Sequence, residues 1–222
     1  VDYREHGLVP YDAFFNLNFG ITFHNICYSQ DLPVLMQQKI ALFRILGIDP
    51  GLNITGYGVL ECACATTNLR SVPGFSSSAD DRPRICEAGV VRGKSRGSLT
   101  DRLAEIHNGV SEVIAGLKPV VMALEELYSH YKRPRTAILM GHARGVICLA
   151  AAEAGIPVVH YSATQIKKIL TGAGRASKSQ VQRAIQRELC LPRLPDPPDV
   201  ADALAVALCH YYLKDKLKAL KK

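Results

Sequence analysis

The stretch RILGIDPGLNITGYGVLE, Arg44 to Glu61, decides the fold. Its first half climbs through the apolar Ile45, Leu46, Gly47 and Ile48, ends on the carboxylate of Asp49, and turns at once through Pro50-Gly51. Its second half, Thr55 to Glu61, is again apolar and β-branched. Two such runs joined by a Pro-Gly turn read as a hairpin-like strand pair. The charge at the first strand's tip has two explanations. Asp-Pro-Gly makes a good turn, and an aspartate at a strand end also faces the place where open α/β sheets bind ligands.

Working outward, Ile85–Arg92 is a third strand candidate, reached through the Ser-, Thr- and Pro-rich loop Ala63–Pro83. In SLTDRLAEIHNGVSEVIAGL, Ser98 and Asp101 form a capping-box pattern. Leu99, Leu103, Ile106, Val110, Val113 and Leu117 then share one helical face. PVVMALEELY holds a short buried strand, Val120–Leu124, that ends on Glu125. A helix over Arg135–Ala154 stops at Gly155, and Val158–Tyr161 is another buried strand. Helices around Thr164–Leu170 and Ser179–Leu189 flank the loop TGAGRASK, and a last helix starts at Asp199 after LPRLPDPPD. Three strands followed by alternating helix and strand predict an α/β domain with a mixed sheet. Residues 1–43 show no sustained period and are expected to be an extension outside the core, with Met36 shortly before the first clear strand. The core is expected over 44–213, beginning near Ala41, with 214–222 as a basic tail.

Composition narrows the class. The 222 residues suffice for one domain with a full core, and 48% hydrophobic residues is a globular value. No apolar run has the length of a membrane span, and no basic-then-apolar signal peptide opens the sequence. The net charge of +7 favours a polyanionic partner but equally serves plain solubility. The seven cysteines include no C-x-x-C pair, so they read as reduced thiols of a cytoplasmic protein.

Asp49 and Glu125 each end an apolar strand, and alone each is weak evidence for a site. The last helix adds Asp199 and Asp202, neighbours at i and i+3 beside its apolar face of Val200, Ala203, Leu204, Ala207, Leu208 and Tyr211. Asp199 is accounted for by capping, whereas Asp202 needs another reason, because aspartate is a poor helix-interior residue. Four acids that met would repel one another, and divalent cations relieve such repulsion. All-oxygen ligands select Mg²⁺ or Mn²⁺, and two such ions about 3.5–4 Å apart cleave phosphodiesters. An acidic centre in a basic protein points to a nuclease.

These residues carry a resemblance. ILGIDPGLNITGYGVLE, ALEELY, GHARGVICLAAAEAGIPVVHYSATQIKKILTGAGRASKSQVQ and PDVADALAVALCHYY resemble, in order from about Arg44 to Tyr212, the RuvC family of bacterial crossover junction endodeoxyribonucleases. The resemblance implies a ribonuclease H-like fold, a five-stranded mixed sheet flanked by helices. It implies a homodimer that resolves Holliday junctions by paired nicks in strands of like polarity, uses Mg²⁺ or Mn²⁺, leaves 5′-phosphate ends, and works with RuvA and RuvB. Asp49, Glu125, Asp199 and Asp202 match the family's metal-binding carboxylates, expected to hold two Mg²⁺ per site. Lys167 and Lys178 match basic residues near the scissile phosphate, and Lys178 is expected to stabilise the transition state. Tyr128 matches an aromatic that stacks at the opened crossover. The segment YSHYKRPRT is one residue long against the family, so Tyr131 competes for that role. Lys132, Arg133 and Arg135 are expected on backbone phosphates. Arg144 divides evenly between a DNA contact and a helix-surface charge, and His142 and His160 read as structural. The helix Arg135–Ala154 is a candidate dimer face.

Three other readings share the fold or the partner. An actin-like ATPase would need a second D-x-G segment and a glycine-rich adenosine motif, and neither is evident. A ribosomal-RNA processing nuclease of the same fold also begins G-I-D-x-G but is disfavoured by the Asp199–Asp202 pair and by SKSQVQ. A non-catalytic junction-binding protein predicts loss of an acid, and all four are present.

Overall fold

The computed structural model describes residues 41–64, 82–93, 97–127 and 134–219. In chain order the elements are β1 (Ala41–Asp49), β2 (Ile54–Cys64), β3 (Arg84–Arg92), α1 (Leu99–Leu117), β4 (Val121–Glu125), α2 (Pro134–Glu153), β5 (Val158–Tyr161), α3 (Ala163–Thr171), α4 (Lys178–Glu188) and α5 (Pro198–Ala219). The strands form one five-stranded sheet in the order β3-β2-β1-β4-β5. The hairpin read from Arg44–Glu61 is the antiparallel pair β1–β2, while β4 and β5 add in parallel. β1 begins three residues before the expected Arg44, because Ala41–Phe43 pair with Cys62–Cys64. Residues 1–40, most of the expected extension, lie outside the described residues, as does most of the loop 63–83. The first residues of the expected basic tail continue α5, which runs to Ala219.

Alternation along the strands divides the core between the two faces of the sheet. Ile45, Val121 and Ala123 pack under α3, α4 and α5. Leu46, Ile48, Met122 and Leu124 pack under α1 and α2. Ser98 and Asp101 make the expected capping box at the start of α1. The buried stripe of α1 is Ile106, Val110 and Ile114, whereas Leu99 is 37% exposed, so the first turn stands clear of the core.

The larger departure is α5. One apolar face was expected, but Ala203 through Cys209 are all buried, so the helix is enclosed on every side. That is the pattern of a central helix. Small residues make it possible, on both partners. A Cβ on Gly47 would lie 2.2 Å from the carbonyl oxygen of Ala203, and one on Gly56 would lie 2.1 Å from that of Asp199. Gly56 pairs with Asp49, and Gly47 pairs with Gly58. The α5 backbone therefore rests directly on the hairpin, beside the tip of β1.

Candidate active site

Parallel register places the first two acids. β1 and β4 are aligned through Ile48 and Leu124, so Asp49 and Glu125 follow as neighbours at adjacent strand tips. Asp49 shares its face of β1 with Ile45 and Gly47, and Glu125 shares its face of β4 with Val121 and Ala123; this is the face that α5 covers. Asp199 sits in the first turn of α5, just after Pro198, where its charge also complements the helix dipole. Asp202 follows one turn on, a half-buried acid flanked by buried Ala201 and Ala203.

A cavity of 240 Å³ opens at this point, lined by Asp49, Glu125 and Asp202, by Lys167 of α3 and Lys178 of α4, and by an apolar floor that includes Ile166 and Val181. Asp199 stands beside it, its Cβ close to Gly56 of β2. A larger cleft of 670 Å³ runs from the same two strand tips toward Thr136 and Met140 of α2 and Ser162–Thr164. The two together form a trough with the acids at its centre.

The electrostatics show what this arrangement lacks. Burial first, then the charges of Glu125, Asp202 and Asp199, push Asp49 up to about 7; Lys178 opposes them. Glu125 is also raised, by burial and then by Asp202, against the pull of Lys167, Lys178 and Arg144. Lys178 Nζ donates to Asp202 Oδ2 at 2.6 Å. That hydrogen bond leads the causes that raise the lysine's pKa. The carboxylates therefore carry more negative charge than the two lysines offset. Among the described residues, no three Asp, Glu, His or Cys side chains are already drawn into a closed cation cage. The donors are nevertheless all carboxylate oxygens in a partly dry cavity, and a hard divalent cation fits both their chemistry and their excess charge.

The structure thus brings together Asp49, Glu125, Asp202, Lys167 and Lys178, with Asp199 adjacent. Arg135 is exposed on the first turn of α2, toward the end of that helix where the larger cleft lies. Tyr128, Tyr131, Lys132 and Arg133 lie outside the described residues. Arg144 donates from Nη1 to the main-chain carbonyl of Glu125, and its Nη2 lies 2.6 Å from His160 Nδ1. Neither that bridge nor the Lys178–Asp202 contact has a sequence signal, since the partners lie 16 to 24 positions apart on different elements. The buried pair Tyr161–His210 was likewise not legible.

Residues 45–210 match the family described as Crossover junction endodeoxyribonuclease RuvC. A protein of that name from Rhodopirellula baltica is 54% identical over 171 residues, which span 76% of this chain and 86% of that one. The Thermus thermophilus RuvC structure superposes with a TM-score of 0.65 at 32% identity, covering 78% of this chain and 96% of that one. T. thermophilus RuvC in complex with Holliday junction substrate gives 0.64 at 30% identity over the same shares. These likenesses bear out the ribonuclease H-like fold expected from the sequence.

Proposed function

This chain belongs to the RuvC family of crossover junction endodeoxyribonucleases, and we propose that Asp49, Glu125, Asp199 and Asp202 form the site at which it cuts DNA. It is a metal-dependent endonuclease that resolves four-way DNA junctions in recombination and repair. The family match over 45–210 sets aside the actin-like ATPase, the ribosomal-RNA nuclease and the non-catalytic binder. The observation that carries the site assignment is the convergence of two strand-tip acids with the acids of α5.

Two Mg²⁺ ions, replaceable by Mn²⁺, are the cofactors this donor set favours. When bound, such ions supply an acidic water and charge for the leaving oxygen, giving 5′-phosphate and 3′-hydroxyl ends. The chain's own groups prepare that step. Asp49 and Glu125 stand at adjacent strand tips, where the sheet brings their backbones side by side. Asp202 and Asp199 face them from a helix that the glycines hold in place. Lys178, exposed at the rim, releases Asp202 and turns its ammonium to the scissile phosphate, where positive charge is worth most as negative charge builds. Lys167 lines the same cavity and draws the phosphate in. Arg135, Lys132 and Arg133 contact backbone phosphates, and Tyr128 or Tyr131 stacks at the crossover.

Paired nicks need two sites, so the reading includes a homodimer. An exposed stripe on α2 supports its face. Ile138, His142, Gly145 and Leu149 follow helical spacing, with Ile138 63% and Leu149 50% exposed. RuvA and RuvB complete the expected partners. Among the described residues no helix is long and apolar enough to cross a membrane. A cytoplasmic location belongs to this same reading.

The test is substitution of single carboxylates. Asp49→Asn, Glu125→Gln and Asp202→Asn are expected to abolish nicking in Mg²⁺ while retaining junction binding in Ca²⁺. Nicking near the parent rate by any of the three overturns its place in the site.

A further inference from the structure

Arg144 reaches the active site from the wrong side to touch what the carboxylates touch. It lies on α2, whose buried residues pack against the opposite face of the sheet from Asp49 and α5. Its guanidinium spans two strand tips. Nη1 donates to the Glu125 carbonyl at the end of β4, and Nη2 lies 2.6 Å from the ring nitrogen Nδ1 of His160 on β5. Between those points runs the last rung of the ladder, from the Glu126 N–H to the Tyr161 carbonyl at 2.8 Å.

We propose that Arg144 is a positioning residue, which clamps the Glu125 carbonyl to His160 and so aims the Glu125 carboxylate into the cation site. The inference rests on the assignment of Glu125 as a ligand. Its physics is local. The β1–β4 register ends at Leu124, so Glu125 is paired to β5 alone, and anchoring its carbonyl fixes the peptide plane that follows its Cα and steadies the backbone from which the carboxylate projects. Only a planar fork can donate to both acceptors at once; a lysine ammonium on a single flexible stem cannot span them in the same way. Burial and the adjacent Arg144 charge push His160 below its ordinary pKa, which keeps the ring neutral and Nδ1 able to accept. These two contacts turn one edge of the guanidinium toward the protein.

The experiment titrates Mn²⁺ into the full chain, followed by electron paramagnetic resonance, for the parent, Arg144→Ala, Arg144→Lys and His160→Ala. Melting temperature and the salt dependence of junction binding in EDTA are measured alongside. Partners that orient metal ligands typically contribute about 10–100-fold in affinity. Arg144→Ala is expected to weaken Mn²⁺ binding by about 10-fold or more, and Arg144→Lys is expected not to restore it. The salt slope should stay at the parent value. His160→Ala removes an exposed partner with little risk to folding, and should weaken Mn²⁺ binding in the same direction by a smaller factor. A salt slope lowered by about 0.9, restored by lysine, with parent Mn²⁺ affinity would make Arg144 a phosphate contact and overturn the proposal. Loss of melting temperature with unchanged Mn²⁺ affinity would reduce it to a fold contact and overturn it as well. A parent that binds no Mn²⁺ would instead overturn the ligand assignment beneath it.

Discussion

Lys178 Nζ lies 2.6 Å from Asp202 Oδ2, joining the first turn of α4 to the second turn of α5 across the rim of the cavity. A cation in the first turn of a helix faces the positive end of the dipole, so local helix physics does not explain this lysine. Its carboxylate neighbours do. Lys178→Met should slow nicking by about 100-fold, the scale of losing one preorganised stabilising group. Junction affinity in Ca²⁺ should change little. Rapid single-turnover cleavage checks this, and a parent-like rate would remove Lys178 from the chemistry.

Asp49 gives a stability prediction with a definite sign. Its folded value of about 7 stands above the ordinary 3.8. Well below pH 4 the acid is protonated in both the folded and the unfolded chain. As pH rises through that window toward 7, the unfolded chain ionises freely and the folded chain resists, so stability is lost. In EDTA at pH 8, Asp49→Asn should therefore melt above the parent, with a gain on the order of a few kcal/mol at most. The difference should close toward pH 4, and Mg²⁺ should stabilise the parent more than the variant. Thermal melts across pH check this; equal melting temperatures at pH 8 would contradict it.

The contact between α5 and the hairpin is tested by a single methyl group. Gly47→Ala puts a Cβ against the Ala203 carbonyl and the Ala207 backbone. Overpacking of this kind costs about 1–3 kcal/mol or more, or a few degrees per kcal/mol in a domain of this size. Nicking should fall by more than the melting temperature alone explains, because both α5 acids move. Gly116→Ala, with nothing within 4 Å of its added carbon, is the control and should be neutral or stabilising.

How much of this was readable in advance follows from the range of each interaction. The strand tips at Asp49 and Glu125 were legible, because an apolar run that ends on an acid is a local pattern. The Asp199–Asp202 pair was legible from helical spacing. The full enclosure of α5 was not, because Ala201, Ala203, Ala205 and Ala207 are only weakly apolar and, alternating with larger residues, blur the edge of the apolar face; the matching glycines of β1 and β2 become meaningful only once paired. Lys178 could be singled out by family resemblance, but its partner could not, and Arg144 was divided between a DNA contact and a helix-surface charge, with no signal for its contacts to Glu125 and His160.

His210 predicts the acid limb of stability. Its Nδ1 lies 2.8 Å from the hydroxyl of buried Tyr161, and burial, then Lys214, pushes it down to about 4 from 6.5. Above pH 6.5 the ring is neutral folded or unfolded. As pH falls from there toward 4, the unfolded chain takes a proton that the folded chain refuses, and stability is lost. His210→Gln should flatten the fall in melting temperature over that range. An unchanged slope would show that other groups set it.

The central claim is that one acidic site cuts branched DNA selectively. It is tested most directly by single-turnover cleavage, in Mg²⁺ at one fixed salt concentration, of a four-way junction and of a linear duplex built from the same sequences. Phosphate contacts alone bind both substrates and weaken by about 0.9 log units per phosphate for each tenfold rise in salt on duplex arms, so at one salt concentration they give no reason to cut the junction and spare the duplex. The account predicts nicks in two junction strands of like polarity, with 5′-phosphate ends, and little cleavage of the duplex. Equal affinity and equal nicking on both substrates would contradict it and leave a nonspecific nuclease.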